Sequence, residues 1–145
     1  MPIKNYTTKI DVFKTIGEIH GCLVRHGARQ IMQQYDESGN PQALCFSIET
    51  PFGTRGVKLP ANTDAVHRVL MEQKVKVDKE QAARVAWRII KDWVDAQMAI
   101  LESEMVRMDE IFLPYMIADN TGNTLYQLYN NNQLCLEGGA NNGMA

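Results

Sequence analysis

The sequence predicts an α+β fold, in which a three- to four-stranded antiparallel sheet packs with two short helices and one long C-terminal amphipathic helix. Alternating apolar and polar residues, separated by short turn sequences, predict strands that pair as hairpins. Apolar residues recur every three or four positions between Asp78 and Pro114, which predicts the long helix. The two patterns together indicate a small sheet covered by helices.

The N-terminal segment predicts a strand followed by a short helix. Residues 3–10 favour an edge strand because Tyr and Thr are common in strands. Thr15 and Glu18 have the spacing of a capping box, which predicts that a helix starts here. Arg25 suits the negative end of a helix dipole, and Gly27 is typical of a left-handed helix end. The first helix is therefore expected between Thr15 and Gly27.

Three strands are predicted after this helix. The first covers residues 28–35, and turn-forming residues at 36–41 separate it from the second. Residues 44–49 alternate apolar side chains with Cys, Ser and Glu, which is the clearest strand pattern in the chain. Residues 55–59 alternate in the same way, and Pro60 ends the third strand.

Two further helices are predicted beyond the strands. Asn62 or Thr63 can cap a short middle helix. Asp78 and the glutamine three positions later form a capping motif at the start of the long helix. Pro114 is expected to end or bend that helix, because proline lacks a backbone N–H group. A single continuous helix is therefore expected over about residues 79–113.

The expected core lies between the sheet and the helices. It consists of the apolar residues on the predicted inner faces. These are Ile16, Ile19, Leu23, Leu44, Phe46, Ile48, Val57, Leu59, Val66, Leu70, Ile90, Trp93, Val94, Leu101 and Phe112.

The long helix has two features that bear on partners. Its apolar arc covers about half of its circumference. Packing under the sheet explains an arc of this width, and a contact with another subunit would also explain it. Residues 74–91 are basic overall and residues 92–110 are acidic overall. Two antiparallel copies would place opposite charges together, so one hypothesis is a homodimer through this helix. The alternative is a hydrated face with a charge gradient.

Composition limits the class of protein. The chain has 145 residues, of which 45% are hydrophobic and 22% are charged, as in globular domains. One domain is expected over residues 1–137, followed by a disordered tail at 138–145. The formal net charge of -2 gives no overall attraction to nucleic acid or acidic membranes. A site for a polyanion therefore has to be a local patch.

The sequence also indicates the compartment. Its 3 cysteines are too few for a disulfide framework, which favours a reducing environment. The N-terminus has no apolar signal-peptide core, and no window is long and apolar enough to span a bilayer. We expect a soluble, cytoplasmic protein with no membrane partner.

No catalytic signature is present in the sequence. Glycine-rich phosphate loops and nucleophile-elbow motifs are missing. His20, Cys22 and His26 lie close together but lack the spacing of a zinc site. We therefore expect no catalytic residue, no metal and no cofactor, and an enzyme of unrecognised type remains a third hypothesis.

Basic residues on the predicted strands and at the start of the long helix favour nucleic-acid binding. Basic side chains position a phosphate backbone, and nearby aromatic residues such as Tyr35 and Phe52 can stack on unpaired bases. The alternative is that these side chains occupy the hydrated face of a half-exposed sheet. The candidate nucleic-acid-binding residues are Arg29, Arg55, Lys58, Lys74, Lys76, Lys79, Arg84 and Arg88.

Five segments of the chain resemble those of small uncharacterised proteins of bacterial phages and mobile elements. They are Lys14–Ile19, Arg25–Ala28, Lys58–Ala61, Ala86–Trp93 and Phe112–Tyr115. The resemblance covers most of the chain and supplies no site residues. It implies a context in which small proteins act on nucleic acid during replication or recombination, or bind a host protein.

The leading expectation is a non-enzymatic accessory protein of a phage or mobile element that associates with nucleic acid, with a single strand favoured. The contact surface would be the sheet and the basic start of the long helix. The alternative is a protein-binding module that inhibits or recruits a host factor through the long helix or its acidic half.

Overall fold

A computed structural model describes residues 1–134 and 136–137, so the tail expected at 138–145 lies outside the described residues. The predicted α+β class is confirmed, and short helices that were not predicted follow the long one. A 3₁₀ turn at Leu113–Tyr115 lies between two of these short helices. The elements are α1 (Val12–Arg25), β1 (Arg29–Tyr35), β2 (Pro41–Thr50), β3 (Gly53–Pro60), α2 (Thr63–Glu72), α3 (Lys79–Glu102), α4 (Met108–Phe112) and α5 (Leu125–Asn130).

The three strands form an antiparallel sheet in the order β1-β2-β3. Side chains alternate between the two faces of a strand, and paired residues share a face. Leu44, Phe46 and Ile48 lie on the face that packs against the helices, which we call the helix face. Cys45 and Ser47 lie on the opposite face, the outer face, and are also buried. The central strand β2 is therefore buried on both sides.

The core forms where α3 packs against the helix face of the sheet, while α1 and α2 pack against α3. Trp87 and Phe112 are fully buried there. Most of the predicted core residues are buried as expected. Val66, Ile90, Trp93 and Leu101 are only half-buried, because they lie on the margins of helices whose central positions face the core.

The first helix begins earlier than the capping-box pattern predicted. Asp11 is the N-cap, and its carboxylate accepts a hydrogen bond of 2.9 Å from the backbone N–H of Phe13. Thr15 is therefore buried inside the helix, and Glu18 forms an ion pair with Arg88 instead of capping. The predicted capping box was wrong because a better cap occurs one turn earlier.

The predicted edge strand at residues 3–10 is also wrong. Residues 4–7 form a turn, in which Asn5 has a left-handed φ of 65°. The Asn5 side chain donates a hydrogen bond of 2.8 Å to Asp92 on α3, and Lys4 forms an ion pair with the same carboxylate. These contacts hold the N-terminal segment on α3 and not on the edge of the sheet.

The long helix ends at Glu102, well before Pro114, so the prediction of one continuous helix was wrong. Glu104 has a left-handed φ of 63°, which an α-helix cannot accommodate. A straight helix would carry Phe112 about 15 Å beyond Glu102. Instead the chain turns back, and the ring centroid of Phe112 lies 5.2 Å from that of Phe46 and 5.9 Å from that of Trp93. Burial of Phe112 stabilises this return.

Three predicted helix boundaries are confirmed. Asn62 caps α2 by accepting a hydrogen bond of 3.0 Å from the backbone N–H of Ala65. Asp78 caps α3 in the same way, at 2.8 Å from the N–H of Gln81. Gly27 follows α1 with a φ of 101°. The caps fix where α2 and α3 start, and those starts define the site described next.

Candidate nucleic-acid interface

An open cleft of about 900 Å³ lies at one end of the sheet. Its walls come from the turn between β1 and β2, the junction between β3 and α2, and the first turns of α1, α2 and α3. The junction is short because Pro60 ends β3 and Ala61 hydrogen-bonds back to Gln42 at 2.8 Å. Five chain segments that are distant in sequence therefore meet at this cleft.

The helix starts make the cleft favourable for negative groups. The lining includes Asp11 and Phe13 of the α1 start, Asn62 and Thr63 of the α2 start, and Lys79 of the α3 start. The first turn of a helix carries a partial positive charge on its free N–H groups. Three such ends border one space, although each cap residue already occupies one N–H group.

Three of the predicted cationic residues come together in this cleft. Lys58 extends from the outer face of β3, where it pairs with Cys45 across the sheet. Lys79 is the first residue of α3, and Arg84 lies in the second turn of the same helix. Neither lysine forms an ion pair with a described residue. The Nε of Arg84 donates a hydrogen bond of 2.8 Å to Gln81, which orients its guanidinium.

Four acidic residues also line the cleft: Asp11, Asp36, Asp64 and Glu80. Two of them are engaged locally. Asp11 caps α1, and Asp36 accepts hydrogen bonds from the backbone N–H groups of Asn40 and Ser38. The bond from Asn40 is the main cause that lowers the pKa of Asp36. The cleft is therefore mixed in charge: its cations lie at the β3 and α3 walls, and Glu80 shares the α3 wall with them.

An exposed aromatic ring and several amide side chains complete the lining. Phe13 is 56% exposed at the rim, and the amides belong to Gln34, Asn40, Gln42 and Asn62. The sequence pattern did not indicate Phe13, because the capping-box motif at Thr15 and Glu18 placed the helix start after this residue. With Asp11 as the cap, Phe13 lies within the helix but outside the buried face that contains Ile16, so an exposed position would have been predicted for it.

The other predicted residues do not join the cleft. Arg29 is exposed on the outer face, opposite Ser47. Arg55 pairs with Ile48 and therefore lies on the helix-face side, at the exposed end of β3, whereas Lys58 lies on the outer face. Lys74 and Lys76 follow the C-terminal end of α2, about 15 Å along that helix from its start at the cleft. The eight predicted residues thus do not form one continuous patch.

Arg88 has a structural partner. Its Nη1 lies 2.6 Å from the carboxylate of Glu18 and 3.5 Å from the hydroxyl of Thr15, and only 18% of its side chain is exposed. Glu18 and Thr15 belong to α1, so Arg88 joins α1 to α3. Phosphate binding by Arg88 would require this pair to break.

His20, Cys22 and His26 have different contacts and do not form one site. His26 donates from Nδ1 to the carbonyl oxygen of Cys22 at 2.7 Å, and its Nε2 lies 2.7 Å from Glu102. Burial raises the pKa of the Cys22 thiol and lowers the pKa of His20. Within residues 1–134 and 136–137, no group of three His, Cys, Asp or Glu residues is arranged to hold a metal ion.

None of the described helices combines the length and the apolar character that are needed to cross a membrane.

Comparisons with known proteins add no relative. The chain matches no family model, no curated protein and no solved structure.

Proposed function

We propose that this protein binds nucleic acid without catalysis and holds a short single-stranded segment in the cleft at the helix starts. The observation that supports this most directly is the meeting of Lys58, Lys79 and Arg84 in one open cleft beside the exposed ring of Phe13. The resemblance of the chain to small proteins of phages and mobile elements suggests an accessory role in replication, recombination or regulation.

The cationic wall of the cleft suits phosphate. Lysine and arginine side chains neutralise phosphates, and arginine can contact two phosphate oxygens at once. Lys58 and Lys79 have no competing ion pair among the described residues, so they are available to a ligand. The first turn of α3 adds N–H groups on the same side. These groups favour one or a few phosphates.

The rest of the cleft favours a single strand over a duplex. A duplex presents a long, regular row of phosphates, and the acidic side chains Asp64 and Glu80 interrupt any such row here. Unpaired bases offer flat faces and hydrogen-bonding edges. Phe13 can stack on a base, and Gln34, Gln42 and Asn62 can bond to its edge.

Removal of the two cleft lysines tests the proposal. Fluorescence anisotropy would follow a labelled single-stranded oligonucleotide over a salt series that starts at about 50 mM. We expect Lys58→Ala/Lys79→Ala to weaken binding several-fold and to reduce the slope of log affinity against log salt by about 1.4, since each phosphate contact to a single strand contributes about 0.7. The matched control is Lys74→Ala/Lys76→Ala, which removes the same charge outside the cleft.

The outcomes separate three cases. Loss that is confined to the cleft variant supports the proposal. Equal loss in both double variants would indicate a diffuse patch and reject the cleft. No binding by the unmutated protein at about 50 mM salt would reject nucleic acid as the ligand.

A second variant tests base stacking independently of charge. Phe13→Ala should weaken binding by about 1–3 kcal/mol if the ring stacks on a base, with the salt slope unchanged. Phe52→Ala is the control, because Phe52 is more exposed, at 78%, and does not line the cleft. Unchanged affinity in Phe13→Ala would show that the ring does not stack on a base. The proposal would then be reduced to a phosphate site.

A further inference from the structure

An open groove of about 450 Å³ lies far from the cleft. β2 runs from the cleft, at Pro41, to the groove, at Glu49, and α3 runs from Lys79 in the cleft to Leu101 in the groove. The length of α3 between these two residues is about 33 Å. The groove and the cleft are therefore separate sites, and a ligand of the groove does not depend on the proposed nucleic-acid binding.

Two turns form the walls of the groove: the tip of the β2–β3 hairpin, and the break between α3 and α4 at residues 103–107. The hydroxyl of Thr50 donates a hydrogen bond of 2.7 Å to the carbonyl of Gly53 and accepts one of 3.1 Å from the backbone N–H of Phe52. The left-handed backbone of Glu104 shapes the break. Both walls therefore have a defined shape before a partner binds, which lowers the entropic cost of binding.

The apolar lining of the groove, its floor, consists of Pro51, Leu101, Val106 and Met108. Leu101 and Met108 also pack against the buried core. Val106 is half-buried, and its neighbour Met105 is exposed. Exposed apolar groups with a polar rim mark interaction sites in soluble proteins, and methionine adapts to the shape of a partner. The floor is therefore suited to an apolar side chain of a partner.

The charged lining of the groove, its rim, is acidic and consists of Glu49, Glu104, Asp109 and Arg107. Neither glutamate forms an ion pair with a described residue. Glu49 accepts a hydrogen bond of 2.6 Å from the hydroxyl of Thr54. Asp109 lies 3.7 Å from Arg107, whose side chain is largely exposed. The rim therefore presents two carboxylates that a cationic partner can reach.

The rim selects among classes of partner. Its carboxylates repel phosphate groups, which disfavours nucleic acid and anionic lipid headgroups at this groove. They attract the ammonium and guanidinium groups of lysine and arginine. A partner that matches both parts of the groove therefore carries positive charges and an apolar side chain.

We infer that the groove binds a basic peptide segment of another protein, with one apolar side chain on the floor and lysine or arginine side chains at the rim. Burial of the apolar side chain supplies affinity. The charges speed the encounter and reject acidic segments. A volume of about 450 Å³ falls within the range typical of small binding clefts, about 300–1,000 Å³, and suits a few side chains of a short segment.

A second copy of this chain fits the groove less well. The basic stretch at residues 74–91 is the part of the chain that would complement the rim. Two of its cations, Arg88 and Lys91, already form ion pairs within the same chain. Its apolar residues Val85 and Trp87 are fully buried in the core, so they cannot reach the floor of another copy. A segment of a different protein is therefore the better match.

Selection from a library of random short peptides displayed on phage tests the inference without assuming a sequence. The bait is the unmutated protein at low salt. We expect a class of enriched peptides that combine net positive charge with a large apolar residue, because these match the rim and the floor. A selection that yields no such class would overturn the inference.

Fluorescence anisotropy with one of these basic peptides locates the contact. We expect Glu49→Gln/Glu104→Gln to weaken binding by about fivefold or more and to reduce its dependence on salt, because two attractive charges are removed. The matched control is Glu37→Gln/Glu72→Gln, which removes the same charge from exposed positions outside the groove. Unchanged affinity in the groove variant, or equal weakening by the control, would overturn the inference.

Val106→Thr tests the floor independently of charge. The added hydroxyl should weaken binding of the same peptide several-fold, since it would lie against an apolar side chain, and the salt dependence should not change. Val75→Thr is the control, because Val75 is also a half-buried valine in a connecting segment but lies outside the groove. Unchanged affinity in Val106→Thr would overturn the inference, because attraction between charges would then suffice.

Sedimentation equilibrium without peptide distinguishes a second copy from a different protein. We expect Glu49→Gln/Glu104→Gln to have the same molecular mass in solution as the unmutated protein. A dimer of the unmutated protein that this variant weakens would assign the groove to a second copy and overturn the inference. None of these measurements contains nucleic acid, so their outcome is independent of the oligonucleotide result.

Discussion

At the scale of single residues, His26 joins the C-terminal end of α1 to the C-terminal end of α3. Its ring lies between the carbonyl oxygen of Cys22 and the carboxylate of Glu102, and both of these groups can only accept hydrogen bonds. Only the doubly protonated imidazolium can donate to both. The pKa of His26 is accordingly raised, first by the Cys22 carbonyl and then by Glu102.

This arrangement predicts a pH-dependent stability. Because the folded pKa of His26 is above the unfolded value near 6.5, its contribution is complete below about pH 6.5 and is lost as the pH rises through the folded pKa. Glu102 is 64% exposed, so solvent limits the effect to about 1 kcal/mol. Chemical unfolding of the unmutated protein should show this loss on the alkaline side of pH 6.5.

The control for this measurement is His26→Asn. Asparagine can keep a hydrogen bond to a carbonyl but does not titrate. The variant should be less stable than the unmutated protein at pH 6 and should approach it at alkaline pH. Parallel stability curves for the two proteins across this range would contradict the role of His26.

Pairs such as His26–Glu102 explain why individual functional groups were hard to assign from the sequence. The positions of Arg88 and Glu102 on the polar side of α3 suggested solvent exposure. Their partners Glu18 and His26 lie on α1, and only the packing of α1 on α3 brings them close. Arg88 therefore looked available for phosphate until the fold showed that it holds two helices together.

At the scale of elements, the end of α3 is the largest departure from prediction. The apolar period continues from Trp87 to Phe112, although the helix ends at Glu102. The period predicts burial, and it holds on both sides of the break, whereas Met105 within the break is 71% exposed. Caps behaved differently: Asn62 and Asp78 act through local hydrogen bonds, which sequence spacing specifies directly.

The break after α3 predicts a stabilising substitution. Glu104 adopts a left-handed φ of 63°, which is unfavourable for a residue with a Cβ atom and acceptable for glycine. Glu104→Gly should therefore leave the free energy of unfolding unchanged or raise it by up to about 1 kcal/mol, in spite of the greater freedom of the unfolded chain. Denaturant unfolding is the measurement.

The matched control is Ala99→Gly, at an exposed position inside α3. It should lower the free energy of unfolding by about 1 kcal/mol, because glycine is unfavourable within a helix. If Glu104→Gly were as destabilising as Ala99→Gly, residue 104 would be helical and the boundary of α3 would be incorrect.

At the scale of the whole molecule, the cleft exists because three helix starts and two ends of strands meet. The sequence indicated the starts of α2 and α3, and it selected Lys58, Lys79 and Arg84 among its basic candidates. It could not show that these three residues share a space, since they come from two elements that only the fold brings together. Strand alternation alone would have separated Arg55 from Lys58, because they are an odd number of residues apart.

The measurement that most directly tests nucleic-acid binding in this cleft is a titration with a short single-stranded oligonucleotide, followed by the backbone amide NMR signals of the protein. We expect the largest changes at the cleft, in particular at Phe13, Lys58, Lys79 and Asn62, with smaller changes at Lys74 and Lys76. Changes centred on Arg55 or on Lys74 and Lys76, or no saturable change at about 50 mM salt, would contradict the account.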